Sequence, residues 1–127
     1  MKTKDQTQDG QITEMERAFL ECAIWSSTDE NGRPLDKEST IEDIDPRSLR
    51  DLRSELADFC AENADLLRES GLSDSKIGHD FWLTKNRHGA GFWDRGLGAI
   101  GIRLADSARA WGSNYLVRDH DGTIYSD

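Results

Sequence analysis

The stretch from Asp45 to Gly71 constrains the fold most, because one run carries a start signal, a periodic apolar face and a stop signal. Asp45-Pro46 sets an acidic N-cap before a proline at the first helical position. Leu49, Leu52, Leu56, Phe59, Leu66 and Leu67 recur at helical spacing, and Gly71 ends the run. The pattern predicts one long helix over residues 46–69.

The opposite side of that helix is unusual. Asp51, Glu55, Asp58, Glu62, Asp65 and Glu69 follow one another at spacings of four, three, four, three and four. At about 100° per residue all six fall within roughly 40° of one line. On a straight helix the row would extend about 27 Å, at about 1.5 Å per residue. Five like-charged neighbours at these spacings disfavour the helix by on the order of 1–2 kcal/mol in sum, before salt screening. A helix selected only to fold would interleave lysines there. The plain explanation is a solvated acidic face that aids solubility. The functional one is a row of carboxylates, similar to phosphates in charge and pitch, offered to a basic groove of another protein.

Charge is divided along the chain. The net charge of −9 resides in residues 1–77, with 19 acidic against 10 basic side chains, whereas residues 78–127 carry 6 of each. Nine of the eleven glycines, from Gly71 onward, and all three histidines also fall late. An acidic surface repels nucleic acid and anionic membranes and favours basic partners. The 127 residues suffice for one modest core, and a hydrophobic content of 35% keeps that core small. No apolar run approaches the length of a membrane span, and the polar start MKTKDQTQDG has no signal-peptide character. The cytoplasm is the expected location. Cys22 and Cys60 lie far apart without metal-ligand spacing, and both are read as reduced core thiols on helices.

Elsewhere the chain divides as follows. Residues 1–11 are expected to be disordered, and residues 12–127 to form a single compact domain. Thr13 and Glu16 form a capping box for a helix to about Ser26, burying Ile12, Met15, Phe19, Cys22 and Ala23. Residues 26–42 read as a loop. Gly98 to Trp111 fits another helix, with Ile100, Leu104, Ala108 and Trp111 inward. Tyr115-Leu116-Val117 and Thr123-Ile124-Tyr125 flank Asp119-His120-Asp121-Gly122, a hairpin signal. Asp80-Phe81-Trp82 and Phe92-Trp93-Asp94 are mirror images about Arg87, which reads as a second hairpin with opposed aromatics. The expectation is α+β, with two or three helices packed on a small antiparallel sheet built from two hairpins.

The mirrored segment offers several chemical readings. His79, Asp80, His88 and Asp94 are metal-ligand types, but their spacing matches no dedicated site. Facing Asp80 and Asp94 could hold a raised pKa for acid–base work, with Arg87 and Arg95 near enough to neutralise them. Gly89-Ala90-Gly91 could cradle a phosphate, although no helix clearly begins there. Trp82, Arg87 and Phe92 could form a secondary partner surface. The plain reading is a core hairpin whose glycines permit tight packing.

The run Gly78 to Arg95, GHDFWLTKNRHGAGFWDR, resembles a segment of small uncharacterised proteins encoded by bacteriophages and related mobile elements, where it usually reads GHDFWLTRNGHGAGFWDR. The resemblance extends to the C-terminal tyrosine hairpin and more loosely to residues 18–25. This chain departs at Lys85, and at Arg87 where the resembling segment has glycine. The resemblance implies a phage or mobile-element origin and brings no biochemical activity with it. Together with the acidic row it yields an expectation: an accessory inhibitor of host defence, such as an anti-CRISPR. It would act in the host cytoplasm and bind a basic nucleic-acid-handling host protein, such as a nuclease or CRISPR effector. It would bind no nucleic acid or membrane directly and need no cofactor or metal. The alternative is a small metal-binding or hydrolytic enzyme centred on the mirrored segment. Reversing Glu55, Asp58 and Glu62 to lysine is expected to abolish binding and leave the fold intact.

Overall fold

A computed structural model describes residues 11–126. Five α-helices lie in this range: α1 (Glu14–Ser26), α2 (Pro46–Glu62), α3 (Ala64–Ser70), α4 (Asp74–Lys85) and α5 (Ala99–Arg109). One two-stranded antiparallel hairpin follows, β1 (Leu116–Arg118) and β2 (Ile124–Ser126), with Val117 opposite Tyr125. The architecture is α+β, but the expected two or three helices and two hairpins are replaced by five helices and one hairpin. The expectation of disorder over residues 1–11 falls, apart from Gln11, outside the described residues. No helix among them is long and apolar enough to cross a membrane.

Helix α1 begins where its capping box predicts. Thr13 Oγ1 accepts from the Glu16 amide at 3.1 Å, and Glu16 Oε1 accepts from the Thr13 amide at 2.9 Å. Glu16 also ties α1 to α2. Arg53 Nε donates to Glu16 Oε2 at 3.0 Å, and Arg53 Nη2 donates to the Gln11 carbonyl at 2.9 Å. Burial works against ionisation of Glu16, but the bonds from Arg53 and Thr13 outweigh it and hold the carboxyl below its ordinary value of 4.5. A group with a depressed folded-state pKa stabilises the fold above its unfolded pKa and loses that effect as pH falls through the folded value. Glu16→Gln is therefore expected to cost about 1 kcal/mol at neutral pH, after discounting for partial exposure. Urea denaturation across pH tests this: the deficit should shrink below pH 4.5 and vanish in more acid solution. A deficit that persists unchanged in acid would mean the carboxylate's charge is not what contributes.

The core forms where α1 and α4 pack face to face and α2 closes over them. Phe59 of α2 stacks on Phe81 of α4 with ring centroids 4.2 Å apart, and on Phe92 at 5.6 Å. Phe19 of α1 stacks on Phe81 at 5.5 Å and meets Trp82 edge-on at 5.7 Å. Such pairs add about 0.5–1.5 kcal/mol each beyond area burial. Leu52, Leu56, Leu104, Ala108, Leu116 and Ile124 belong to the same cluster. The hairpin is tied to the helices by side chains and backbone alike. The Asp45 amide donates to the Ile124 carbonyl at 2.8 Å, and the Ser126 amide to Ser48 Oγ at 3.0 Å. Both cysteines lie on helices, as expected, and are free. Burial and the Asp80 charge push the Cys22 thiol up to about 12, and burial and Asp74 push Cys60 up to about 11, so neither is a ready nucleophile.

The largest correction concerns residues 78–95. Residues 78–85 belong to α4, capped by Ser73, whose hydroxyl accepts from the Lys76 amide at 3.2 Å. Phe92–Asp94 is one turn of 3-10 helix. Asp80 and Asp94 therefore do not face each other across a hairpin. The helix escaped its pattern because Ile77, Asp80, Phe81, Trp82, Leu83, Thr84 and Lys85 are all buried. A stretch buried at every position, as Asp80 to Lys85 is, has no amphipathic stripe to read.

Candidate functional site

The acidic face is built by two consecutive helices. Asp45 caps α2 by accepting from the Ser48 amide at 3.1 Å, with Pro46 at the first helical position. The expected single helix over residues 46–69 is interrupted at Asn63, which is buried and serves as both C-cap of α2 and N-cap of α3. Asn63 Nδ2 donates to the Phe59 carbonyl at 2.9 Å and to Ser107 Oγ of α5 at 2.8 Å. These contacts anchor the junction to α5, and Gly71, at φ 72°, ends α3. The row of carboxylates is thereby split: Asp51, Glu55, Asp58 and Glu62 stand on α2, Asp65 and Glu69 on α3.

Five of the six are exposed: Asp51, Asp58, Glu62, Asp65 and Glu69. Arg68 pairs with Asp65 within α3, relieving part of the repulsion along the row. Arg47, also exposed, lies four residues before Asp51 on the same line. The exposed carboxylates are therefore interspersed with Arg47 before Asp51 and with Arg68 between Asp65 and Glu69.

Glu55 departs from the row. Its carboxylate turns inward, with the side chain 19% exposed, and its Oε1 lies 3.4 Å from Nζ of Lys85, itself 1% exposed. The two atoms form an ion pair without a well-aligned hydrogen bond. Lys85 Nζ donates to Asn114 Oδ1 at 2.5 Å and sits 5.4 Å from the Trp82 ring centroid. Burial pushes the Glu55 carboxyl up and the Lys85 ammonium down, each opposed by the attraction of the other. The helical wheel explains the choice. Glu55 lies about 40° from the direction of Phe59, whereas Asp58 lies about 100° away, so Glu55 alone reaches the edge of the core.

The residues of the mirrored segment take structural roles. Asp80, with 0% exposure, accepts from Arg95 Nε at 2.8 Å and Nη2 at 2.6 Å, closing the segment end to end in a bidentate pair. Asp94 Oδ1 accepts from the Gly91 amide at 3.1 Å. His79 Nδ1 stands 3.5 Å from Asp80 Oδ1, and His88 is exposed. His79, Asp80, His88 and Asp94 do not converge, and no group of three or more His, Cys, Asp or Glu is placed to hold a metal ion among the described residues. Trp82 and Phe92 are buried, so they do not join Arg87 in a partner surface. Trp82 Nε1 donates to Ser26 Oγ at 2.7 Å, satisfying its buried polar atom.

Gly89-Ala90-Gly91 precedes only a single 3-10 turn, which does not supply the helix N-terminus of a phosphate cradle. Gly91 instead sits at φ 146°, where an added Cβ would lie 2.1 Å from Thr84 Oγ1. That hydroxyl accepts from the Phe92 amide at 3.2 Å. Arg87 has φ 59°, the one non-glycine residue with positive φ among those described. Glycine would adopt this conformation without the steric cost an arginine bears.

Sequence reasoning missed the Glu55–Lys85 pair, which joins two separate helices, whereas Arg95, named from the sequence with Arg87 as able to neutralise Asp80 or Asp94, does pair with Asp80. An isolated lysine and aspartate inside an apolar run, Asp80 to Lys85, were the available signal that both would need partners. No protein-family model, no curated protein and no solved structure matches this chain.

Proposed function

We propose that this protein is an acidic binding module that docks its α2–α3 face on a basic, nucleic-acid-handling protein and occludes that partner's path for DNA or RNA. The observation that carries the reading is the exposure of Asp51, Asp58, Glu62, Asp65 and Glu69 on two consecutive helices. A net charge of −9 adds long-range attraction toward a basic groove. In the biological setting implied by the phage-like segment, the role is inhibition of a host defence protein, such as an anti-CRISPR acting on a nuclease or effector complex. Glu55 is not part of this face, so the contact is carried by the other five carboxylates.

The test is capture from host lysate with the wild-type protein and with the triple variant Asp58→Lys, Glu62→Lys, Glu69→Lys. These three are exposed and free of the core, so circular dichroism should be unchanged. The wild type is expected to retain a nucleic-acid-binding protein, and the triple variant to lose it. Affinity should also fall by at least about ten-fold between about 50 and 200 mM salt, as electrostatic recognition requires. Undiminished capture by the triple variant would sink the reading.

A further inference from the structure

A cleft of about 400 Å³ opens between the C-terminal ends of α1 and α4 and the approach to β1. Three pieces of chain wall it: residues 26–28 at the end of α1, Asn86 and His88 beyond α4, and residues 113–117 leading into β1. Trp82, buried, backs it. None of the eleven lining residues is Asp, Glu, Lys or Arg, in a chain where 32% of residues are charged. Its polar groups are instead hydroxyls, carboxamides and one imidazole. The volume is within the range of small-molecule sites, about 300–1,000 Å³.

The lining side chains themselves hold the walls in register. Ser26 Oγ accepts from Trp82 Nε1 at 2.7 Å, joining α1 to α4. Asn86 Oδ1 accepts from the Asn114 amide at 2.8 Å, and Ser113 Oγ donates to the Lys85 carbonyl at 3.3 Å, joining α4 to the approach to β1. Ser27 Oγ accepts from the Leu116 amide at 3.4 Å, closing the third side. Walls fixed in this way lose little freedom when a ligand arrives. Each of these hydroxyls keeps a lone pair, and Asn86, whose Nδ2 donates to the Trp82 carbonyl at 3.0 Å, keeps a second N–H. Thr28, His88 and Tyr115 are exposed, and their side-chain polar atoms have no hydrogen-bond partner among the described residues. Tyr115 is 63% exposed, so it presents its ring as well as its hydroxyl.

An ionised ligand would leave water here without a counter-charge, so the lining selects a neutral one. A purely apolar ligand would cut the hydroxyls and carboxamides off from water without replacing its hydrogen bonds. A compact molecule dense in uncharged donors and acceptors meets both conditions, and its C–H groups suit the negative face of the Tyr115 ring. We propose that this cleft binds a neutral sugar, its hydroxyls bonded to the side chains of Thr28, Asn86 and His88 and one face of its ring laid on Tyr115. The site is separate from the carboxylates of α2 and α3 and does not rest on the function proposed for them.

Amide chemical-shift titration of the full chain with glucose, galactose, mannose and N-acetylglucosamine tests the assignment. At least one is expected to bind saturably, with Kd on the order of 1–10 mM and the largest shifts at residues 26–28, 86–88 and 113–117. The 6-phosphate of the sugar that binds best should bind about ten-fold more weakly, because its charge finds no partner in the cleft. Tyr115→Ala should weaken binding by about ten-fold, whereas Tyr115→Phe, which keeps the ring, should stay within about three-fold. Thr28→Val, which removes one hydroxyl at nearly constant shape, should weaken it by about five-fold. Both positions are exposed, and circular dichroism checks that each variant is folded. Absence of saturable binding of all four sugars up to about 100 mM overturns the proposal. So do shifts confined to other parts of the chain, equal affinity for the 6-phosphate, or unchanged affinity in folded Tyr115→Ala or Thr28→Val.

Discussion

Gly78→Ala is expected to destabilise the fold by about 3 kcal/mol or more, at the upper end for overpacking. A Cβ at Gly78 would lie 2.1 Å from the Met15 carbonyl oxygen and 3.0 Å from the Phe19 amide nitrogen. Both are backbone atoms of α1, so no side-chain rotation relieves the clash, and α4 must move off α1 as a body. Phe19, Phe81 and Trp82 meet across that contact, so separation reaches the whole aromatic core. For a chain of this size the melting temperature should fall by roughly 10–15 °C. Gly89→Ala is the internal control. Its Cβ would meet nothing within 4 Å and its backbone lies outside the left-handed region, so the substitution should be neutral or slightly stabilising. Equal effects at the two glycines in thermal denaturation would contradict the close helix contact.

The second large effect separates Glu55 from the other carboxylates of the row. Glu55→Lys sets a second ammonium against Lys85 in a buried site and is expected to cost about 4 kcal/mol or more. Asp58→Lys, three residues on, should change stability by no more than about 0.5 kcal/mol, because its side chain is exposed and the exchange relieves like-charge repulsion. Replacing both partners by apolar residues, Glu55→Leu with Lys85→Met, should recover most of the loss, since a buried ion pair is worth little against a hydrophobic isostere. Chemical denaturation of the three variants decides it. Near-equal stability of Glu55→Lys and Asp58→Lys would place Glu55 back on the solvent face. The expectation that Glu55 could be reversed along with Asp58 and Glu62 without harming the fold is corrected accordingly. Loss of binding in a variant that includes Glu55→Lys would report unfolding as readily as lost contact.

Local signals and tertiary arrangement can be told apart at particular residues. Thr13 with Glu16, and Asp45 with Pro46, mark helix starts through atoms only a few residues apart, so the chain alone specifies them. The hairpin about Asp119–Gly122 is equally local, with the Asp119 amide donating to the Thr123 carbonyl at 2.8 Å. Its strands lie one residue later than the sequence pattern suggests. The interruption at Asn63 had no comparable mark. Nothing beside Asn63 breaks a helix, and the junction is anchored by Ser107, 44 residues away.

The mirrored aromatics show how a local pattern can mislead. Phe81 and Phe92 do share a partner, but it is Phe59 of α2, on which both stack, rather than each other across a hairpin.

The sequence by itself determined the N-caps of α1 and α2, the apolar stripes of α1, α2 and α5, the C-terminal turn and the acidic character of residues 1–77. These depend on hydrogen bonds and periodicities that span a turn or two of backbone. Only the tertiary structure decided that the Gly78–Lys85 run is a buried helix, that Glu55 points inward to Lys85, and that Asp80 is spent on Arg95. Those outcomes depend on which distant groups exclude water from each side chain, because a buried charge is stable only beside a partner that the fold brings to it.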